Sequence, residues 1–146
     1  DEATIEFEGR LVGGCMDCLV NLAGTSFDRV KAFSERYQEE GIIWFLESCD
    51  LNVYAIRRAI WEMQHAGWFG YVKGFLIGRP LAGREPVMGL DHIHAVTDLL
   101  ASCNVPVLLD VDLGHLPPMM PVIVGSMADV RYSPSTGEFG LRMELR

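Results

Sequence analysis

Runs of apolar residues punctuated by glycine set the first reading of this chain. Ile5, Phe7 and Leu11-Val12 read as a strand entering the pair Gly13-Gly14, and residues 15–23 as a short apolar helix broken by Gly24-Thr25-Ser26. Asp28 is placed to cap a polar helix through Glu39 that Gly41 stops. Residues 42–46, Ile-Ile-Trp-Phe-Leu, are continuously apolar, as a strand covered on both faces requires, and the run ends on Glu47. Asp50 is placed to cap a helix over about 52–65, whose Val53, Ile56, Ile60 and Met63 recur at helical spacing until Gly67 closes it. Residues 71–78 and 105–111 are two further buried-strand candidates. Between them lie a Gly- and Pro-rich loop over 79–89 and a helix over 91–102 built on Ile93, Val96, Leu99 and Leu100. Pro117, Pro118 and Pro121 then predict an extended stretch. Val122-Ile123-Val124 and residues 130–145 alternate around a Ser-Pro-Ser-Thr-Gly turn, as antiparallel hairpin strands do.

The strand–helix–strand–helix–strand order of the middle predicts an α/β domain: a parallel central sheet with right-handed crossover helices, followed by a smaller antiparallel layer. Length and composition agree with one domain over 1–146. The chain has 146 residues and is 49% hydrophobic, enough for a real core. Its formal net charge of −8, without a basic stripe, excludes a nucleic-acid partner. No apolar run approaches the ~20 residues of a membrane span, so no membrane partner is expected. Asp1-Glu2-Ala3-Thr4 has neither the basic start of a signal peptide nor an initiator Met, and the expectation is a cut or processed piece of a longer protein. Cys15, Cys18, Cys49 and Cys103 are too sparse for a disulfide scaffold and read as reduced thiols in a cytoplasmic protein.

In open α/β sheets, functional groups gather at the carboxyl ends of the strands. Glu47 and His115 both stand at such ends, and parallel topology can bring them to one edge. A carboxylate on one imidazole nitrogen fixes the tautomer and leaves the other nitrogen as a base near neutral pH. Gly114, just before His115, allows a tight turn and close approach of a substrate. Taken singly, a Glu at a strand end is more commonly a cap or a surface charge, and a His after Gly a loop residue. Asp112, close before His115, rivals Glu47 for the carboxylate role. No serine lies in a Gly-x-Ser-x-Gly elbow; Gly125-Ser126 comes nearest. Cys15-Met16-Asp17-Cys18 is a lone Cys-x-x-Cys without the second pair that zinc would want, and two core thiols on a small helix are the expected reading. His92 and His94, two apart on a helix, do not share a face. No metal and no cofactor are therefore expected.

The ordered set of blocks resembles the C-terminal domain of the LD-carboxypeptidase family of serine peptidases, which includes the microcin C resistance peptidases. The blocks are Gly13-Gly14, a short apolar helix with Gly24-Thr25, the strand 41–47 ending in Glu47, Tyr54-Ala55-Ile56-Arg57-Arg58, Gly67, the strand 74–78, Val105-Pro106-Val107, and Gly114-His115 before a Pro-rich stretch. No single block is specific; their order over nearly the whole chain is. Two departures stand out: Cys15 occupies a position that is typically Asn in the family, and residues 27–40 are longer than usual.

The resemblance implies a swivelling β/β/α domain carrying Glu47 and His115 as carboxylate and base of a Ser–His–Glu triad. Gly13, Gly14, Cys15, Asp112 and Gly114 would border the substrate. The nucleophilic Ser and oxyanion donors would lie in an N-terminal flavodoxin-like domain of the same protein. The implied substrate is a murein tetrapeptide cleaved before its terminal D-alanine or, in some relatives, an amide of a peptide-nucleotide antibiotic. The intact protein would be a homodimer, and this chain alone would be inactive. Two other classes compete: a non-catalytic ligand-binding or interaction module, and a thiol redox domain on Cys15 and Cys18.

Overall fold

The computed structural model describes residues 3–146; Asp1 and Glu2, on which the expectation of a trimmed start partly rests, lie outside the described residues. Among the described residues the strands are β1 (Ile5–Cys15), β2 (Ile42–Glu47), β3 (Val72–Gly78), β4 (Val107–Val111), β5 (Met127–Ser133) and β6 (Glu138–Glu144). They form one sheet in the order β4-β3-β2-β1-β5-β6. The first four are mutually parallel, so β1 joins the predicted parallel middle. β5 runs antiparallel to β1, and β6 to β5. The helices are α1 (Met16–Leu19), α2 (Val30–Arg36), α3 (Val53–His65) and α4 (His92–Leu100).

The unbroken apolar run of β2 follows from its place near the middle of the sheet. Every residue of β2 is buried. Ile42, Trp44 and Leu46 pack with the α3 and α4 residues Ile56, Ile60, Met63 and Val96 on one face. Ile43 and Phe45 alternate to the other face and pack with Leu11, Leu76, Leu108 and Val130. Trp44 stacks on Trp68, with ring centroids 5.8 Å apart, and meets Phe69 edge-on at 5.5 Å. Fully burying an aliphatic side chain contributes about 2 kcal/mol, so the buried stripe Val53, Ile56, Ile60 and Met63 binds α3 to the sheet. The second face is covered because the sheet curls. Ile5 and the hairpin residues Tyr132 and Phe139 border the same cleft, of about 620 Å³, as Val107–Val111 at the opposite edge.

Some local expectations shift. The cap of α3 is Asn52, whose side chain accepts from the Ala55 N–H at 3.0 Å; Asp50 lies too far upstream and instead gives its own N–H to Asp17 at 2.8 Å. The helix expected over 91–102 is α4, capped by Asp91, which accepts from the His94 N–H. α2 is shorter than its polar pattern: Asp28 accepts from the Val30 N–H, and the chain leaves the helix at Tyr37. Val122-Ile123-Val124 is not a strand; Pro121 and the turn at Gly125 divert it, and the Gly125 N–H closes onto the Leu11 carbonyl at 2.7 Å.

Gly13 has φ +154°, and a Cβ there would lie 1.8 Å from the Phe45 carbonyl oxygen of the neighbouring strand. Gly13→Ala must therefore push β1 from β2. Chemical denaturation is expected to show a loss of about 2–4 kcal/mol; an unchanged midpoint would contradict the tight β1–β2 approach.

Candidate active site

Parallel pairing assembles the site from residues distant in sequence. In the β1–β2 register Cys15 stands opposite Glu47, each the last residue of its strand. The loop after β4 returns to the same edge with Gly114-His115. Glu47 is nearly buried, its side chain 8% exposed, while the His115 side chain is 45% exposed. His115 Nδ1 lies 2.8 Å from Glu47 Oε2. With the carboxylate ionised, Nδ1 carries the proton and donates it, which leaves Nε2 as the basic nitrogen.

Glycine makes this contact sterically possible. Gly114 has φ +102°, and a Cβ there would stand 2.7 Å from Glu47 Oε2 and 2.9 Å from its Cβ and Cγ. The loop therefore passes directly over the carboxylate. The hydrogen bond from Glu47, followed by the carboxylate's charge, raises the His115 pKa above its ordinary value.

Cys15 is the third member of the cluster. One donor atom each from Cys15, Glu47 and His115 lie within 4.8 Å of one another. Burial, then hydrogen bonding to Glu47, pushes the Cys15 thiol up to about 12. Its Sγ also lies 3.3 Å from Asp17 Oδ2. Asp17 is pushed up by burial, yet the N–H groups of Asp50 and Cys49 outweigh that and hold it below the usual carboxylate range. Cys15 and Cys18 are both free thiols, and a thiol as little ionised as Cys15 is a poor redox nucleophile. That weighs against the redox reading.

Asp112 does not reach the imidazole. It pairs with Arg79 at 2.9 Å and is half-exposed. Arg79 also donates to the carbonyls of Leu116 at 3.1 Å and Pro118 at 2.7 Å, so one guanidinium grips the loop on both sides of His115. Nothing in the sequence reading singled out Arg79, although it directly follows β3 and so satisfies the same strand-end rule that found Glu47. Gly13, Gly14 and Cys15 stand at the end of β1, beside Glu47. Ser126 is fully buried and donates to the Ile123 carbonyl at 2.7 Å; among the described residues no serine is hydrogen-bonded to His115. Clefts of about 640 and 620 Å³ open elsewhere on the sheet, and neither borders Glu47 or His115.

Comparison with known proteins gives a consistent picture. A family model described as LD-carboxypeptidase C-terminal domain matches residues 8–130. The probable murein peptide carboxypeptidase of Bacillus subtilis (strain 168) is 26% identical over 133 residues, covering 88% of this chain and 39% of that protein. The muramoyltetrapeptide carboxypeptidase of Oxalobacter formigenes superposes with a TM-score of 0.77 at 20% identity, over 99% of this chain and 48% of its own. The microcin C7 self immunity protein MccF does so with a TM-score of 0.70 at 18% identity, over 96% and 39%. The chain thus spans less than half the length of each of these relatives, and the structural likeness establishes the α/β fold.

Two outcomes follow from the geometry. An NMR titration should find His115 above the ordinary imidazole value of ~6.5, and Glu47→Gln should bring it down; an unmoved titration would contradict the contact. Because the folded value is raised, the pair's stabilisation is complete below the unfolded imidazole pKa and is lost as pH rises through the folded one. Separately, limited iodoacetamide at mildly alkaline pH should label exposed Cys18 well before Cys15, read by peptide mass. Labelling of Cys15 first would contradict its suppressed ionisation.

Proposed function

The chain belongs to the LD-carboxypeptidase C-terminal domain family, and from that premise we propose that it supplies the carboxylate and the base of a Ser–His–Glu triad whose serine stands outside this chain. One observation carries the reading: His115 Nδ1 is 2.8 Å from a nearly buried Glu47 carboxylate at the carboxyl edge of a parallel sheet. That arrangement holds one tautomer and leaves the second nitrogen of a half-exposed ring available as base.

In this reading the serine belongs to an N-terminal nucleophile domain of the same cytoplasmic protein, which also brings the oxyanion donors. The relatives, more than twice as long as the matched region, support a second domain. The serine hydroxyl attacks a peptide carbonyl in a cleft between the domains. His115 takes the hydroxyl proton, and Glu47 stabilises the imidazolium that forms. The same proton passes to the leaving amine, and water then releases the acyl group by the reverse sequence. Arg79 acts as a positioning residue, holding the loop through Asp112 before His115 and through the Leu116 and Pro118 carbonyls after it. Gly13, Gly14, Cys15 and Gly114 form the near wall of the cleft, with Asp112 at its rim.

The substrate we assign is a murein tetrapeptide, cleaved before its terminal D-alanine. The Bacillus subtilis relative is named a probable murein peptide carboxypeptidase and the Oxalobacter formigenes structure a muramoyltetrapeptide carboxypeptidase. MccF, solved with aspartyl sulfamoyl adenosine, supports an aminoacyl-nucleotide amide as the second substrate class to test. The working protein is assigned as a homodimer.

In the longer protein, Glu47→Gln is expected to lower kcat by about 10⁴-fold, and His115→Ala by a similar or larger factor, with the fold retained by circular dichroism. The chain by itself is expected to release no D-alanine from a murein tetrapeptide. Near-wild-type turnover in a folded Glu47→Gln protein would sink the triad assignment. So would hydrolysis by the purified chain that disappears when one of its own serines is replaced.

A further inference from the structure

Cys15, Glu47 and His115 form a compact donor set of a kind that holds a soft divalent metal. We propose that this strand-end cluster is a zinc-binding site, with Cys15 Sγ, a Glu47 carboxylate oxygen and a His115 ring nitrogen as its three protein ligands. The three donor atoms already lie within 4.8 Å of one another. Zn–S bonds of about 2.3 Å and Zn–N or Zn–O bonds of about 2.0–2.2 Å, arranged tetrahedrally, put donors roughly 3.3–3.8 Å apart. Closing the site needs shifts of about 1 Å or less: the 2.8 Å His115–Glu47 contact opens as Cys15 Sγ is drawn in, and the half-exposed His115 side chain has the freedom to move.

The framework favours the metal on other grounds as well. Cys15 and Glu47 are paired strand ends, fixed by the β1–β2 ladder, so two of the three ligands are held by backbone. Asp17 is not counted among the ligands, because its carboxylate already accepts from the N–H groups of Cys49 and Asp50. Three protein ligands leave the fourth tetrahedral position for water. On binding, the Cys15 thiol proton leaves to solvent as the Zn–S bond forms.

The consequence for the chemistry rests on the function proposed above. The metal and the Glu47–His115 hydrogen bond compete for the same carboxylate, so the zinc form lacks the oriented base. Zinc is here an occupant that switches the dyad off, and takes no part in hydrolysis. The Cys-x-x-Cys spacing concealed this arrangement, because the partners of Cys15 come from β2 and from the loop after β4 rather than from Cys18.

The test needs no hydrolysis, so it stands or falls separately from the triad assignment. Zn²⁺ is titrated calorimetrically into the chain, and Co²⁺ is added in parallel to read thiolate-to-metal charge transfer by absorption. The expected result is one Zn²⁺ per chain at micromolar or tighter affinity, weakened by at least about tenfold in Cys15→Ser and in His115→Asn. The Co²⁺ charge-transfer band should vanish in Cys15→Ser and persist in the Cys18→Ser/Cys49→Ser double variant, which retains all three ligands. Folding of each variant is checked by circular dichroism. Absence of Zn²⁺ uptake by the wild-type chain at tens of micromolar would overturn the site. So would a charge-transfer band that survives Cys15→Ser, or one lost with Cys18 and Cys49 alone.

Discussion

A carboxylate buried at the end of a parallel strand must be paired, and the rest of the site is arranged around that requirement. Glu47 sits where β2 leaves the sheet, with Cys15 of β1 on one side and Gly78 of β3 on the other. An isolated buried charge is costly enough to be avoided or neutralised. The imidazole of His115 meets that need, and the backbone is shaped to deliver it. Side chains at Gly78 or Gly114 would collide with Glu47. Arg79 then ties down the loop by its Leu116 and Pro118 carbonyls. The pairing that makes Glu47 tolerable in the fold is also what orients an imidazole.

Much of this architecture could be read from the chain because local pattern and tertiary role coincide. Residues 42–46 are apolar throughout since both faces of β2 are covered, and the periodicity of α3 matches its burial. Position made Glu47 and His115 candidates, since one ends an apolar strand and the other follows one, but only the family resemblance singled them out as a pair. What stayed hidden depended on long-range geometry. The preference for Asn52 over Asp50 as cap turns on two residues of spacing. The diversion of Val122–Val124 depends on a backbone bond to Leu11, remote in sequence. Arg79 looks like any arginine after a strand until the loop it holds is in place. The proximity of Cys15 to Glu47 is a property of the β1–β2 register, which the Cys-x-x-Cys motif does not encode.

In the two proposals made above, the same edge of the sheet serves two chemistries that differ in which group holds Glu47. With the imidazole on the carboxylate, the cluster is a base and its orienting group. With zinc there, it is a three-ligand coordination site completed by water. Cys15 decides between them: as a half-buried, scarcely ionised thiol it leaves the dyad alone, and in the proposed zinc form its thiolate anchors the metal. The half-exposed ring of His115 agrees with the proposed cleft whose other wall lies beyond this chain.

The central claim is that Glu47 sets the basicity of a catalytic His115. Its most direct test is the pH dependence of kcat/KM in the longer protein, measured for wild type and for Glu47→Gln. The account predicts that the acidic limb reports a group above the ordinary imidazole range, and that the limb moves to lower pH while the plateau falls when the carboxylate is replaced. A limb that stays in place in Glu47→Gln would show that the titrating group is not the imidazole held by Glu47, and the assignment of the pair to catalysis would be wrong.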